Sequence, residues 1–268
     1  METLFGLGET TLRLTVFAGV FLIMALAETL VPRREMNLPK PRRWFTNLGL
    51  VVVNSLLVRF TFPMVAIGAA ALAETRGWGL LALTGWPGWL KILIAVLVLD
   101  LAIYIQHVVT HKIPILWRLH QVHHADRDID VTTGTRFHPI EIALSMLYKM
   151  VVVVALGAPP VAVLIFEVVL NAMAMFNHAN FDLGRRLDGL VRLVVVTPDM
   201  HRVHHSVIRE ETDSNYGFNL SVWDRVFRTY RPQPRLGHID MVIGLKPYRD
   251  EKPANLIWSL LLPFRRLR

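Results

Sequence analysis

Nine of the eleven histidines in this 268-residue chain fall into four spaced groups. His107 and His111 stand four apart in "HVVTH", and His178 lies in "FNHANF". His120, His123 and His124 form "HQVHH", while His201, His204 and His205 form "HRVHH". On a helix, positions i, i+3 and i+4 share a face, so His107 and His111 can reach one ion and each H-x-x-H-H gathers three imidazoles. Nine nitrogens exceed the about four ligands that zinc takes and the about six of an octahedral ion. Two ions with four or five nitrogens each, plus water, fit the number. A proton relay or pH switch does not require two identical triplets. With no cysteine in the chain, thiolate nucleophiles, cysteine-ligated zinc and cysteinyl iron–sulfur clusters are excluded. All-nitrogen ligation leaves iron, zinc, copper and nickel open.

The elements that must position these residues belong to a membrane protein. Hydrophobic residues make up 53% of the chain, mean hydropathy is +0.41 and charged residues are 19%, against about 45–50% and about 25% in soluble domains. The run Leu12–Val31 suits one helical crossing. It is expected to be a span rather than a cleaved signal peptide, because it has no basic leader and exceeds the usual apolar core of one. "PRREMNLPKPRR" follows, with five basic residues, one acidic residue and three prolines; it reads as a cytoplasmic loop. A second span is expected over about Leu48–Leu72, kinked at Pro63, and a third over about Leu90–Val109. Between them, the Gly- and Trp-rich "AETRGWGLLALTGWPGWLK" reads as a non-cytoplasmic interfacial turn. The stretch Ile140–Phe176 is broken by "GAPP" at Gly157–Pro160, so two helical halves form a hairpin that crosses fully or stays re-entrant.

The expected fold class is thus all-α: an integral membrane bundle of about four spans, the last a Pro-broken hairpin, under a cytoplasmic histidine-rich helical cap. This topology brings every dense histidine segment to the cytoplasmic side. The basic tail "PFRRLR" agrees with it, and "NLIWSLLLPF" reads as an interfacial anchor. The net charge of +8 follows from topology rather than from nucleic-acid binding, since the basic residues flank apolar segments. The two triplets are not an internal repeat: "ADRDID" follows one and "SVIREE" the other. They read as halves of one ligand set brought together by the hairpin.

Through "HVVTH", "LWRLHQVHH", "RFHPIE", "FNHANF", "TPDMHRVHH" and "NYGFNLSVWDRVFRTY", the chain resembles the fatty acid hydroxylase and sterol desaturase superfamily over roughly Asp100–Tyr230. The resemblance implies one domain over residues 1–268 with its catalytic part at about 96–232. It also implies two iron ions, O2 as co-substrate, and hydroxylation or desaturation of a lipid C–H bond. The implied ligands are His107, His111, His120, His123, His124, His178, His201, His204 and His205. Some members carry a further histidine where this chain has Ala174, which leaves one metal's coordination to water, His138 or fewer ligands. His138 in "RFHP" is preferred as a residue behind the ligands, and His238 reads as a surface residue.

Ligating imidazoles pass their other ring proton to a carboxylate or carbonyl. Asp100, two turns before His107 in an apolar span, is the first candidate, followed by Asn215, Asp224 and Asp199. A membrane metal-dependent hydrolase would show carboxylates among the ligands, and a metal transporter would show polar residues across several spans rather than isolated Arg59, Asp100 and Glu167. Both rank below oxidation. The remaining segments read as spans or short tails, so electrons are expected from a separate cytochrome b5-like, ferredoxin or reductase partner. Arg33, Arg34, Arg42, Arg43, Arg185 and Arg186 are candidates to dock it or to face lipid headgroups. A bacterial inner membrane is expected ahead of the endoplasmic reticulum.

Overall fold

The computed structural model of the chain describes residues 8–265 and is all-helical, with no strand among the described residues. The helices that build the bundle are α1 (Glu9–Leu30), α2 (Lys40–Thr61), α3 (Ala66–Arg76), α4 (Gly88–Lys112), α6 (Pro139–Leu156) and α7 (Pro160–His178). The helices of the cap include α5 (Pro114–His124), α8 (Arg185–Val191) and α9 (Pro198–His204). Residues 266–268 of the basic tail lie outside the described residues.

Proline sets most of the breaks. The expected second span ends at Thr61 and resumes at Ala66 beyond Pro63. It also begins earlier than Leu48, because the helix already starts at Lys40, with Pro41 in its first turn. Pro114 holds Ile113 in extended backbone (ψ 117°), which ends α4 and turns the chain into α5. Both halves of the hairpin are full helices, of 18 and 19 residues, or about 27 and 28 Å at 1.5 Å per residue. Five segments among the described residues are therefore long and apolar enough to cross a membrane, the expected hairpin supplying two of them. Gly157 closes α6 in the left-handed region (φ 68°), and a Cβ there would stand 2.5 Å from Trp78 O. The hairpin turn thus seats directly on the backbone after α3, which only glycine permits.

The helix directions gather the histidines at one end. α4 and α7 end there, α2 and α6 begin there, and Glu28 near the end of α1 accepts hydrogen bonds from Val131 N (2.6 Å) and Asn180 N (2.8 Å). Ala66, Ile67, Leu99, Ile103, Val163 and Phe166 fill the core between α3, α4, α6 and α7. Outward faces keep large apolar side chains exposed, such as Leu22, Ile23 and Leu26 on α1, as a lipid-facing surface requires.

Candidate metal centre

Two short helices and two spans deliver the nine imidazoles, all of them buried. The α4–α5 corner lays His120 and His124 over His107 and His111. α9 is started by Thr197, whose side chain accepts from Met200 N at 3.3 Å, and by Pro198 in its first turn. It runs through His201 and His204, and His205 follows at its end. α7 ends at His178.

The imidazoles converge as two groups, in each of which one ligating nitrogen per ring lies within 4.8 Å of all the others. One group is His107, His111, His120, His124 and His204; the other is His123, His178, His201 and His205. The triplets are shared crosswise. The i, i+4 pair His120 and His124 joins the first group and His123 the second, whereas the pair His201 and His205 joins the second and His204 the first. Each triplet therefore supplies two nitrogens to one group and one to the other, which is why the pattern occurs twice.

Orientation of the rings is held from behind. The Nδ1 atoms lie 2.7 Å from Tyr216 O for His107, 3.2 Å from Arg136 O for His123, 2.7 Å from Ala174 O for His178 and 2.8 Å from Ser214 O for His204. His120 Nδ1 lies 2.6 Å from Glu141 Oε1. The opposite nitrogens then face each other: His107 and His120 Nε2 are 3.2 Å apart, and His178 Nε2 is 3.1 Å from both His123 Nε2 and His201 Nε2. Two nitrogens each about 2.1 Å from one ion stand roughly 3.0–3.4 Å apart at octahedral to tetrahedral angles. Several ring nitrogens, among them His124 Nε2, His204 Nε2 and both of His205, are buried without a hydrogen-bond partner, an arrangement that is costly unless something else binds them. Burial, followed by the neighbouring imidazoles, holds His123, His124, His201 and His205 well below the usual histidine range. Burial holds His204 down to about 3. Neutral imidazole is the form that ligates, so the donor set fits metal ions.

The residues expected behind the ligands divide. Asp100 does not reach a histidine; its Oδ2 accepts from Trp223 Nε1 at 2.8 Å and from Leu220 N at 3.3 Å. Asn215 and Asp224 act through backbone. Asn215 Nδ2 donates to Met200 O and Arg231 O, and Asp224 accepts from Tyr216 N and Gly217 N. Together they fix the segment whose Ser214 and Tyr216 carbonyls face His204 and His107. His138 is a helix cap instead. Its Nδ1 accepts from Ile140 N, and its Nε2 donates to Leu260 O at 3.1 Å, so it does not replace the ligand missing at Ala174. There the Ala174 carbonyl faces His178 Nδ1, and a Cβ on Gly134 would lie 2.3 Å from it.

Glu141 was missed by sequence reasoning, although a carboxylate opening an otherwise apolar helix was a usable signal. Asp213, 3.5 Å from His111 Nδ1, carried none. His238 is buried, 3.5 Å from Asp199, not a surface residue. The expected basic face is also smaller: Arg43 is fully buried on Asp126 and Asp130, Arg33 pairs with Asp199, and Arg34 donates to Met241 O. Arg42, Arg185 and Arg186 remain exposed.

A cavity of about 600 Å3 lies among α1, α2, α4, α6 and α7 and reaches His107, His120 and Glu141. Its walls are largely apolar, with Val51, Val58, Ile103, Ile142, Met146 and Leu170.

Residues 92–229 match a family model described as fatty acid hydroxylase. Ornithine lipid hydroxylase OlsE of Rhizobium tropici is 25% identical over 237 residues, covering 85% of this chain and 70% of that protein. Alkylglycerol monooxygenase of Xenopus tropicalis is 30% identical over 178 residues, covering 65% of this chain but 38% of that protein. Cholesterol 25-hydroxylase of Rattus norvegicus is 27% identical over 201 residues, covering 73% and 64%. The chain thus spans well under half of the alkylglycerol monooxygenase. No solved structure is significantly similar.

Proposed function

The chain belongs to the fatty acid hydroxylase family, and from that membership we propose that it is a di-iron enzyme that hydroxylates an unactivated C–H bond of a membrane lipid. One atom of O2 enters the bond and the other leaves as water, with two electrons and two protons taken up from outside the chain. The observation that carries the reading is the convergence of nine buried imidazoles into a group of five and a group of four. Hydroxylation is preferred to desaturation because the relatives are named hydroxylases and monooxygenases.

His107, His111, His120, His124 and His204 would hold one ion, and His123, His178, His201 and His205 the other. The chemistry two iron ions supply when bound is reduction of O2 and removal of hydrogen from carbon. The remaining work belongs to the chain. Backbone carbonyls and Glu141 orient the rings through Nδ1, leaving Nε2 for ligation. Phe137 lies parallel to His123 with ring centroids 4.6 Å apart and covers that ring. The apolar cavity wall seats hydrocarbon against His107 and His120 and keeps water from it. The absence of carboxylates from both nitrogen sets argues against a water-activating hydrolase.

The histidine cap is assigned to the cytoplasmic side from the basic "PRR" loop. A separate donor supplies the electrons, with exposed Arg185 and Arg186 offering the positive charge that an acidic partner would meet, since Arg42 is paired with Glu251.

Elemental analysis of purified protein, together with comparative lipid analysis of cells with and without it under oxygen, tests the proposal. Two iron equivalents and an oxygen-dependent hydroxylated lipid are expected. His123→Ala and His204→Ala each remove the product, and unchanged metal content and lipid profile in both variants would sink the reading.

A further inference from the structure

The end of the cavity away from the imidazoles is ionic. Arg13 of α1 donates to Glu9 at 2.9 Å and to Glu167 of α7 at 2.7 Å, and Lys149 of α6 pairs with the same Glu167. All four side chains line the cavity. Ionisable groups within spans are costly and usually serve a function. Pairing lowers that cost, but a purely structural bridge would be sealed between helices, whereas this one faces an open chamber.

The cations also keep donors in hand. Among the described residues, Arg13 commits Nε and Nη2 but not Nη1, and Lys149 bonds only Glu167, leaving two of an ammonium's three donors. Both oxygens of Glu167 are engaged. The unspent donors at this end therefore lie on positive groups, against one uncommitted carboxylate oxygen, Glu9 Oε2, and such donors select an oxyanion.

The chamber has a measurable length. Glu167 lies eleven residues before His178 on α7 and Lys149 eight residues after Glu141 on α6, or about 16 and about 12 Å along the helices. Between the two ends the wall is mainly apolar, through Val51, Ile103, Ile142, Met146 and Leu170, with Gln106, Ser145 and Asn171 as polar interruptions.

We propose that Arg13 and Lys149 bind the anionic head, a carboxylate or a phosphate, of an amphiphilic substrate whose hydrocarbon runs along the cavity to His107 and His120. The carbon presented to the metal centre then lies about 12–16 Å from the head, remote from the polar group rather than adjacent to it. This rests on the lipid-hydroxylase reading for the meaning of that carbon, but binding of the head does not.

The test uses the full chain, stripped of metal, in an uncharged detergent at neutral pH. Binding of dodecyl phosphate, dodecanoate and 1-dodecanol is followed by native mass spectrometry. At least one anion should bind about tenfold more tightly than the alcohol, and whichever does so names the head group. Arg13→Gln and Lys149→Gln should each bring that anion to within about twofold of the alcohol. Reloaded metal content reports that the variants stay folded. Equal binding of all three probes to the wild-type chain overturns the proposal, and so does an anion preference that survives both substitutions. Should neither variant be obtainable, the wild-type series still decides. Anion binding without lipid oxidation would uphold the head site and refute the enzymatic reading; oxidation without anion preference would do the reverse.

Discussion

Replacing Glu141 by Gln separates the two halves of the centre. The carboxylate lies 2.6 Å from His120 Nδ1, and Gln keeps an oxygen acceptor in that place while removing the charge. A hydrogen bond to a charged group contributes about 1.5–3 kcal/mol net, and a neutral one about 0.5–1.5. The difference, about 1–1.5 kcal/mol, corresponds to roughly a tenfold loss of metal affinity, at the low end of the 10–100-fold typical for partners behind metal ligands. The loss should fall on one equivalent alone. His120 belongs to the group of five, while the Nδ1 atoms of His123 and His178 in the group of four face Arg136 O and Ala174 O. Stepwise titration of metal-free protein against a competing chromophoric chelator resolves the two equivalents. One should weaken about tenfold with the other within a factor of two. Equal weakening of both, or of neither, would refute the assignment of Glu141 to a single group.

Gly134→Ala should act on the other group, because its Cβ would meet the Ala174 carbonyl that faces His178; loss of the group-of-four equivalent first, seen in the same titration, checks it. Arg43→Met strips the guanidinium from Asp126 and Asp130 in a fully buried site and should destabilise the fold by about 3–5 kcal/mol. Arg43→Lys should not restore it, since an ammonium cannot span both carboxylates, and thermal unfolding measures both variants. Metal-free protein should lose stability in acid. His123, His124, His201, His204 and His205 have folded-state pKa values below the unfolded value, so the unfolded chain binds the extra protons. The stabilisation is whole above about pH 6.5 and declines as pH falls below it, by up to about 1.4 kcal/mol per pH unit for each imidazole. A melting temperature that is flat or rising from pH 7 to pH 5 would contradict this.

The physics of a single helix was legible in the chain itself. Apolar run lengths marked the crossings, Pro63 and the "GAPP" turn marked the breaks, and helical spacing marked the imidazoles that share a face. The number of histidines alone pointed to two ions. Their allocation was not legible, because spacing places His120, His123 and His124 on one side of α5 without saying which neighbour each will meet. Only the packing of α5 against α4, α7 and α9 sends His123 to His178 and His120 to His107. The same holds for the residues behind the ligands. Asp100 shares a helical face with His107, yet Trp223 on the short helix Val222–Val226 reaches it first, whereas Glu141 meets His120 from another helix twenty-one residues away. Arg43 looks like a surface charge beside Arg42, and the carboxylates that bury it lie more than eighty residues on. Local sequence determines which side chains a helix presents, while contacts between distant segments depend on the angles at which helices cross, and those angles are a property of the packed bundle.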